Sequence, residues 1–341
     1  MDTADTTPDT SFKKNTGQHD IHHVVLAGGG PSIFQTIGAI QYLLTDTVIL
    51  PENIQSIYGT SAGSIVGVLL CIGMEWNDVY EYFVNRPWHD TFPVSPTLFL
   101  DSYMNKGVFD SSFVETVFKP IFDSKDIDSD ITLKELYDLS GIDLHVFSFE
   151  LHEFVTCEFS HSTHPDMRVV DAVYRSSALP FVFSPHCQDT KCYLDGGLFA
   201  NYPLQACIDN GYSPDNIIGM KNSYEVYDRE TSSSQIITQD STILDYVSTL
   251  ISKIVRHVNT DTLQPRIDNE IEFQSQRMSL PYISEVVKSR ELRRDLCAKG
   301  REQAARYVVR WQCGESELSR EEIATVASEC DSEIDALKAP S

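Results

Sequence analysis

The most constraining feature of this chain is the pentapeptide Gly59-Thr60-Ser61-Ala62-Gly63. It sits between a short strand pattern, Gln55 to Tyr58, and an apolar helix pattern, Ser64 to Gly73. A G-x-S-x-G run at a strand-to-helix junction demands a sharp, strained turn that lifts the serine hydroxyl off the carboxyl edge of a sheet. Gly59 and Gly63 flank the serine because a Cβ at either place would clash across the turn. The helix that follows aims its N-terminal N–H groups and the positive end of its dipole at the same spot. The pentapeptide alone also fits a Gly/Ser turn that only packs a helix against a sheet, so its weight comes from its flanks.

A second glycine cluster has the same setting. Gly28-Gly29-Gly30 follows an apolar strand, His23 to Ala27, and precedes apolar residues at helical spacing, Ile33, Ile37, Ile40 and Leu44. A right-handed crossover lays this strand beside the one that carries Ser61, with both loops at one sheet edge. Consecutive glycines let N–H groups face one way and bind an anion. An oxyanion-binding loop beside a candidate nucleophile follows from chain order. Dinucleotide binding fits poorly: Ile33 stands where the third glycine of that fingerprint belongs, and Gly59-Thr-Ser61 occupies the place of the ribose-binding acid.

A serine nucleophile needs a base. The order Ser61, Asp195, His257 is that of an α/β-hydrolase triad. That fold, however, places several strands ahead of its elbow, whereas His23 to Ser61 has room for one strand and one helix, and His257 lies inside a helical pattern. The remaining candidate is Asp195, which ends a strand, Cys192 to Leu194, and is followed by Gly196 and Gly197. Partial burial would raise its pKa and make it a better base for a hydroxyl. The competing reading is an ordinary Asp-Gly turn.

Taken in order, the glycine-rich loop, G-x-S-x-G and D-G-G resemble the patatin-like phospholipases. The resemblance spans roughly residues 22 to 220 and includes Arg175-Ser-Ser-Ala-Leu-Pro180 ahead of D-G-G and Asn201-Tyr-Pro203 after it. It implies a three-layer α/β fold with a mostly parallel sheet and helices on both faces. It implies a Ser61–Asp195 dyad without histidine, with Gly28, Gly29 and Gly30 as oxyanion-hole donors. It further implies hydrolysis of phospholipid or other lipid acyl esters with neither metal nor cofactor. The GGGP form and Asn85-Arg-Pro-Trp88 are similar to patatin-like chains of large DNA viruses. One departure stands out: the family's loop commonly continues G-G-G-x-R/K-G, but here those last positions are Ser32 and Ile33. The missing basic residue leaves a second reading open, a catalytically silent relative that binds lipid or protein through the same cleft.

Composition narrows the partners. With 50 acidic against 26 basic residues the 341-residue chain carries −24, which sets it against nucleic acid. One segment runs the other way. Ser284 to Arg310 holds eight bases and four acids, with Val286, Leu292, Leu296 and Val308 among its apolar positions. It reads either as a membrane-surface helix or as a helix packed on the domain. The histidines at 161 and 164 have no clear helical setting for a metal site. The eight cysteines are scattered and are expected as reduced thiols filling the core. The acidic N-terminus lacks an apolar segment, so the expectation is a cytoplasmic protein, soluble or peripherally membrane-associated. The expected organisation is a disordered tail over 1–20, a catalytic domain over 21–222 and a helical extension over 223–341. Phe92 to Gly107, rich in aromatics, is an expected cap or lid.

Overall fold

A computed structural model describes residues 20–92, 105–224 and 265–313, with isolated positions between 237 and 253. The expected lid over most of 93–104, the expected helical extension beyond 313, the tail before residue 20 and His257 lie outside the described residues.

The chain begins with β1 (His23–Leu26), α1 (Ile33–Thr45), β2 (Ser56–Thr60) and α2 (Ala62–Cys71). Then come α3 (Trp76–Asn85), the single turn α4 (Trp88–Thr91), β3 (Gly107–Phe109), α5 (Ser112–Ser124) and α6 (Leu133–Ser140). Thr132 and Glu135, in capping-box spacing, cap α6 reciprocally: each side chain bonds the other's backbone N–H. β4 (Asp143–Glu150) and β5 (Val155–Phe159) form a hairpin, followed by α7 (Val169–Ser177), β6 (Phe181–Phe183), β7 (His186–Gln188) and β8 (Lys191–Asp195). The described remainder is α8 (Leu204–Asp209), β9 (Ile217–Ser223), β10 (Glu270–Gln274), α9 (Leu280–Lys288) and α10 (Arg290–Cys313).

The strands make one sheet in the order β10-β9-β1-β2-β4-β8-β7, with β5 also on β4. The pairs from β10 to β4 are parallel, and the β4–β8, β8–β7 and β4–β5 pairs are antiparallel. Both faces are covered, which is why the strands read as continuous apolar runs. Alternate residues serve different cores: Val24, Leu26 and Ile57 join the large core under α1 and α2, while Val25, Ala27 and Tyr58 join a smaller one with Leu204 and Cys207 of α8. The result is a three-layer α/β fold with a mostly parallel sheet.

Residues past 222 contribute to this body: β10 extends the sheet beside β9, so the sheet itself crosses the position where a boundary was expected. The basic segment forms two helices rather than one. Ser289 breaks them in extended backbone, and its hydroxyl accepts the N–H of Leu292. The segment is packed on the domain. Buried Arg293 donates to the carbonyls of Val84, Arg86, Val286 and Val287, which spends its charge inside the fold. The approach of α10 to α1 depends on two glycines. A Cβ at Gly300 would stand 1.9 Å from the Gln35 carbonyl oxygen, and one at Gly38 would stand 2.0 Å from that of Cys297. Gly300→Ala gains about 1 kcal/mol in helix propensity, but the collision is with backbone and costs about 3 kcal/mol or more. Thermal melting is expected to show a lower Tm for this variant, against the usual direction for Gly→Ala in a helix.

The expectation of free cysteines is corrected at one place. Cys187 and Cys192 stand directly opposite each other in the β7–β8 hairpin and are joined as a disulfide. Cys71, Cys207 and Cys297 are buried free thiols in the core.

Candidate active site

β4 brings the two halves of the site together by register. Along Val146–Glu150 it pairs with β5 on one edge. Its other edge is shared end to end: β2 occupies Asp143 to Phe147, and β8 takes over from Ser148 to Glu150. Thr60 therefore lies opposite Phe147, and Asp195 opposite the next residue, Ser148. The residue leaving β2 is Ser61. Two strands that approach β4 from opposite directions thus meet at Ser61 and Asp195.

Ser61 has φ 51° and ψ −121°, a positive-φ backbone conformation that a non-glycine residue rarely adopts. Its N–H donates to Ser176 Oγ at 2.8 Å, and Ser176 in turn donates to the Phe147 carbonyl. This anchors the strained turn to β4. The Ser61 hydroxyl donates to Asp195 Oδ2 at 2.8 Å. Asp195 Oδ1 accepts the N–H of Gly197 at 2.6 Å, and the Asp195 N–H donates to the Ala178 carbonyl. Both residues are buried. Burial pushes the Asp195 carboxyl up to about 6, against the pull of the Gly197 N–H and the Ser61 hydroxyl. Such a group is ionised at neutral pH yet far more basic than an exposed aspartate.

Gly59 and Gly63 pack directly on each other across the turn, and Gly196 lies against the Phe147 carbonyl. The glycine loop lies beside Ser61: a Cβ on Gly28 would stand 3.1 Å from that of Ser61. Its three members differ in what they offer. The Gly28 N–H is already spent on the Asn201 carbonyl at 2.9 Å. The Gly28 carbonyl accepts the side-chain amides of Asn222 at 2.8 Å and Asn201 at 3.2 Å. In a trans peptide the C=O and the following N–H point opposite ways, so this clamp turns the Gly29 N–H away from the two asparagines. Among the described hydrogen bonds, the N–H groups of Gly29 and Gly30 have no protein acceptor. The clamp has its own support, since the Ser275 hydroxyl lies 2.8 Å from Asn222 Oδ1 and 2.7 Å from Gln35 Oε1. Ser32 is buried beneath this loop, its N–H donating to the Gly29 carbonyl, and Pro31 opens the turn that leads into α1.

Sequence reasoning named Ser61, Asp195 and the glycine loop but not Ser176, Asn222, Ser275 or Gln35. Ser176 lies in the Arg175–Pro180 segment ahead of D-G-G, which carries part of the family resemblance but marks no role for it. The other three carry no local signal. The described histidines bond elsewhere. Burial disfavours charge on His145, yet the nearby carboxylates of Asp143 and Glu158, the latter hydrogen-bonded to it, outweigh that and push its pKa up to about 9. His161 donates to Asp143, and among the described residues no group of His, Cys, Asp and Glu could hold a metal ion.

The family model of the patatin-like phospholipases matches residues 24–208, more than half of the chain. This chain belongs to the patatin-like phospholipase family. Among curated relatives, a protein of Invertebrate iridescent virus 6 named a probable lipid hydrolase is 28% identical over 215 residues, covering 60% of this chain and 71% of that one. An uncharacterized protein of Acanthamoeba polyphaga mimivirus is 27% identical over 203 residues, covering 58% of this chain and 64% of its own length. Both relatives come from large DNA viruses. Among solved structures, VipD from Legionella pneumophila aligns over 86% of this chain and 67% of its own, at 15% identity and TM-score 0.49. ExoU of Pseudomonas aeruginosa, solved with SpcU, aligns over 93% and 59%, at 15% identity and TM-score 0.46. In this patatin-like chain no described helix is long and apolar enough to cross a membrane.

Proposed function

We propose that this patatin-like chain is a serine lipid acyl hydrolase of phospholipase A type, a carboxylic ester hydrolase that works through a Ser61–Asp195 dyad. The observation that carries the reading is the 2.8 Å hydrogen bond from the Ser61 hydroxyl to Asp195 Oδ2 at a strained strand-to-helix turn. In this mechanism Ser61 Oγ attacks the acyl carbonyl carbon as its proton passes to Asp195 Oδ2. The carbonyl oxygen becomes an oxyanion held by the N–H groups of Gly29 and Gly30. As the tetrahedral species collapses, the C–O bond to the leaving alcohol breaks and Asp195 returns the proton to that oxygen. An acyl-enzyme ester on Ser61 remains. Water then attacks it, giving a proton to Asp195, and the fatty acid leaves as Ser61 Oγ takes that proton back.

The two oxygens of Asp195 have separate tasks. Oδ1 is fixed by Gly197, which orients the carboxylate, and Oδ2 faces the nucleophile. The raised pKa suits a base that must accept a proton from a hydroxyl and surrender it within one turnover. Gly28 serves as the clamped hinge of the loop rather than as a donor, because both its N–H and its carbonyl are engaged. No basic side chain is needed at Ser32 if two fixed backbone dipoles face the oxyanion.

The test is a fluorophosphonate probe together with mixed phospholipid vesicles. Wild type is expected to label at one site and to release fatty acid. Ser61→Ala is expected to lose the label and to cut release by about a thousandfold or more. A well-folded wild type that neither labels nor cleaves esters overturns the hydrolase reading in favour of a silent lipid- or protein-binding relative.

A further inference from the structure

We propose that the β4–β5 hairpin tip, Leu151 to Val155, is the face on which this protein docks onto a zwitterionic lipid surface, next to the Ser61–Asp195 site. The proposal rests on the lipid-ester reading above and names how that site reaches its substrate.

The tip stands over the site because of register. β2 ends opposite Phe147, whereas β4 runs on through Ser148, Phe149 and Glu150 before it turns. Three more residues of strand carry the chain about 10 Å beyond the end of β2. At that height Leu151, Phe154 and Val155 are 42%, 63% and 49% exposed. Single exposed apolar residues are ordinary, but three within one turn make a patch.

Phe154 breaks two local rules at once. Its φ is +57°, where glycine or asparagine sits without strain and an aromatic residue costs about 1 kcal/mol. Its ring is the most exposed of the described large hydrophobics, so burial does not offset that cost. The turn cannot relax to hide it. Buried Glu150 accepts the N–H groups of Cys192 and Glu153, the Leu151 N–H donates to the Cys192 carbonyl, and His152 donates to the Thr190 carbonyl. A strained, solvent-facing aromatic on a rigid tip is a choice the fold does not require.

The patch also leads back to the site. Phe154 meets Phe149 edge-on at 4.9 Å and Phe199 edge-on at 5.1 Å, while Phe149 and Phe199 stack at 4.1 Å. Phe199 closes the turn whose Gly197 N–H holds Asp195. One aromatic surface therefore runs from the dyad's own turn to the exposed tip. Its narrowness suits insertion among acyl chains; a stable protein interface needs about 800 Å² per partner. Charge selects the lipid. The chain carries −24, and Leu151 to Val155 include Glu153 but neither Lys nor Arg, so attachment is apolar and a strongly anionic layer is disfavoured.

The experiment is flotation with phosphatidylcholine vesicles, using Ser61→Ala protein so that the lipid is not consumed. The parent is expected to float and to stay bound when salt is raised. Adding Phe154→Asn is expected to lower the partition coefficient at least about fivefold, with a Tm no lower than the parent's because asparagine accepts the positive φ. Adding Phe154→Trp instead is expected to keep binding and to shift tryptophan emission to the blue on vesicles. Equal binding by the Phe154→Asn protein overturns the proposal, as does a parent that never floats. It is also overturned if Phe154→Asn abolishes self-association or capture of a protein partner and leaves flotation intact. Flotation does not depend on turnover. A chain that floats through Phe154 but never labels at Ser61 keeps the docking face and loses the hydrolase reading; a chain that labels but does not float loses only the docking face.

Discussion

Asp195→Asn is expected to lose about a thousandfold or more of ester turnover and, at neutral pH, to melt at a higher temperature than wild type. The two effects have one cause. The carboxylate is buried, and burial raises its pKa to about 6, against about 4 in an unfolded chain. Because the folded pKa is the higher one, the native state binds more protons than the unfolded state between about pH 4 and pH 6. Stability therefore falls as pH rises through that window, and above it a penalty of about 3 kcal/mol remains. Asparagine has the same shape and no charge. Its Oδ1 still accepts the Gly197 N–H, and its Nδ2 can donate to Ser61 Oγ, so no buried polar group is orphaned. What it cannot do is take the serine proton, a role worth 10²–10⁴-fold in rate. Scanning calorimetry at pH 7.5 should show the variant melting several degrees higher, with the difference shrinking towards pH 4. The wild-type rate should rise with pH through about 6. A variant that keeps wild-type turnover would move the base elsewhere, with His257 the first residue to examine.

The readable parts of this chain were those specified by neighbours in sequence. β1, α1, β2 and α2 follow from apolar runs and the two glycine turns between them. The Thr132–Glu135 capping box is likewise a four-residue pattern. The parts that escaped depend on partners far along the chain. β10 is an edge strand because β9 offers it a parallel edge, and nothing within Glu270–Gln274 announces that neighbour. Asn222 reaches Gly28 across 194 positions, and Ser275 reaches Gln35 across 240. Cys187 and Cys192 become a pair only once the hairpin sets them face to face. Ser61 and Asp195 are the instructive intermediate case. Each residue is visible locally, as a serine in a glycine turn and an aspartate at a strand end. That they meet is a property of β4, which holds β2 and β8 end to end along one edge. An antiparallel β8 was not evident from Cys192 to Leu194, and it is this direction that points Asp195 back at Ser61.

The glycines of the serine turn lead to the largest expected loss of stability. A Cβ on Gly63 would lie 2.3 Å from the Leu26 carbonyl oxygen and 2.9 Å from that of Ala27. Leu26 ends β1, which is held in the sheet between β2 and β9, and the N–H of Ala27, the next residue, donates to the Met220 carbonyl. The strand cannot retreat, so Gly63→Ala must push α2 away and, with it, Ser61, the residue immediately before that helix. Gly67, one turn further along α2, is the control. Its Cβ would meet only the tips of Leu144 and Ile57, at 2.9 and 3.2 Å, and side chains can rotate. Gly67→Ala also gains about 1 kcal/mol in helix propensity, enough to offset a modest repacking strain. The same gain at Gly63 is outweighed by a clash of about 3 kcal/mol or more with backbone. Gly63→Ala is thus expected to lower Tm sharply and to lose turnover even at temperatures where it remains folded, because the Oγ–Oδ2 distance no longer holds. Gly67→Ala should stay within a few degrees of wild type and keep its rate. Equal behaviour of the two variants in melting and in fluorophosphonate labelling would show that the tight seat of α2 on β1 is not what holds the serine in place.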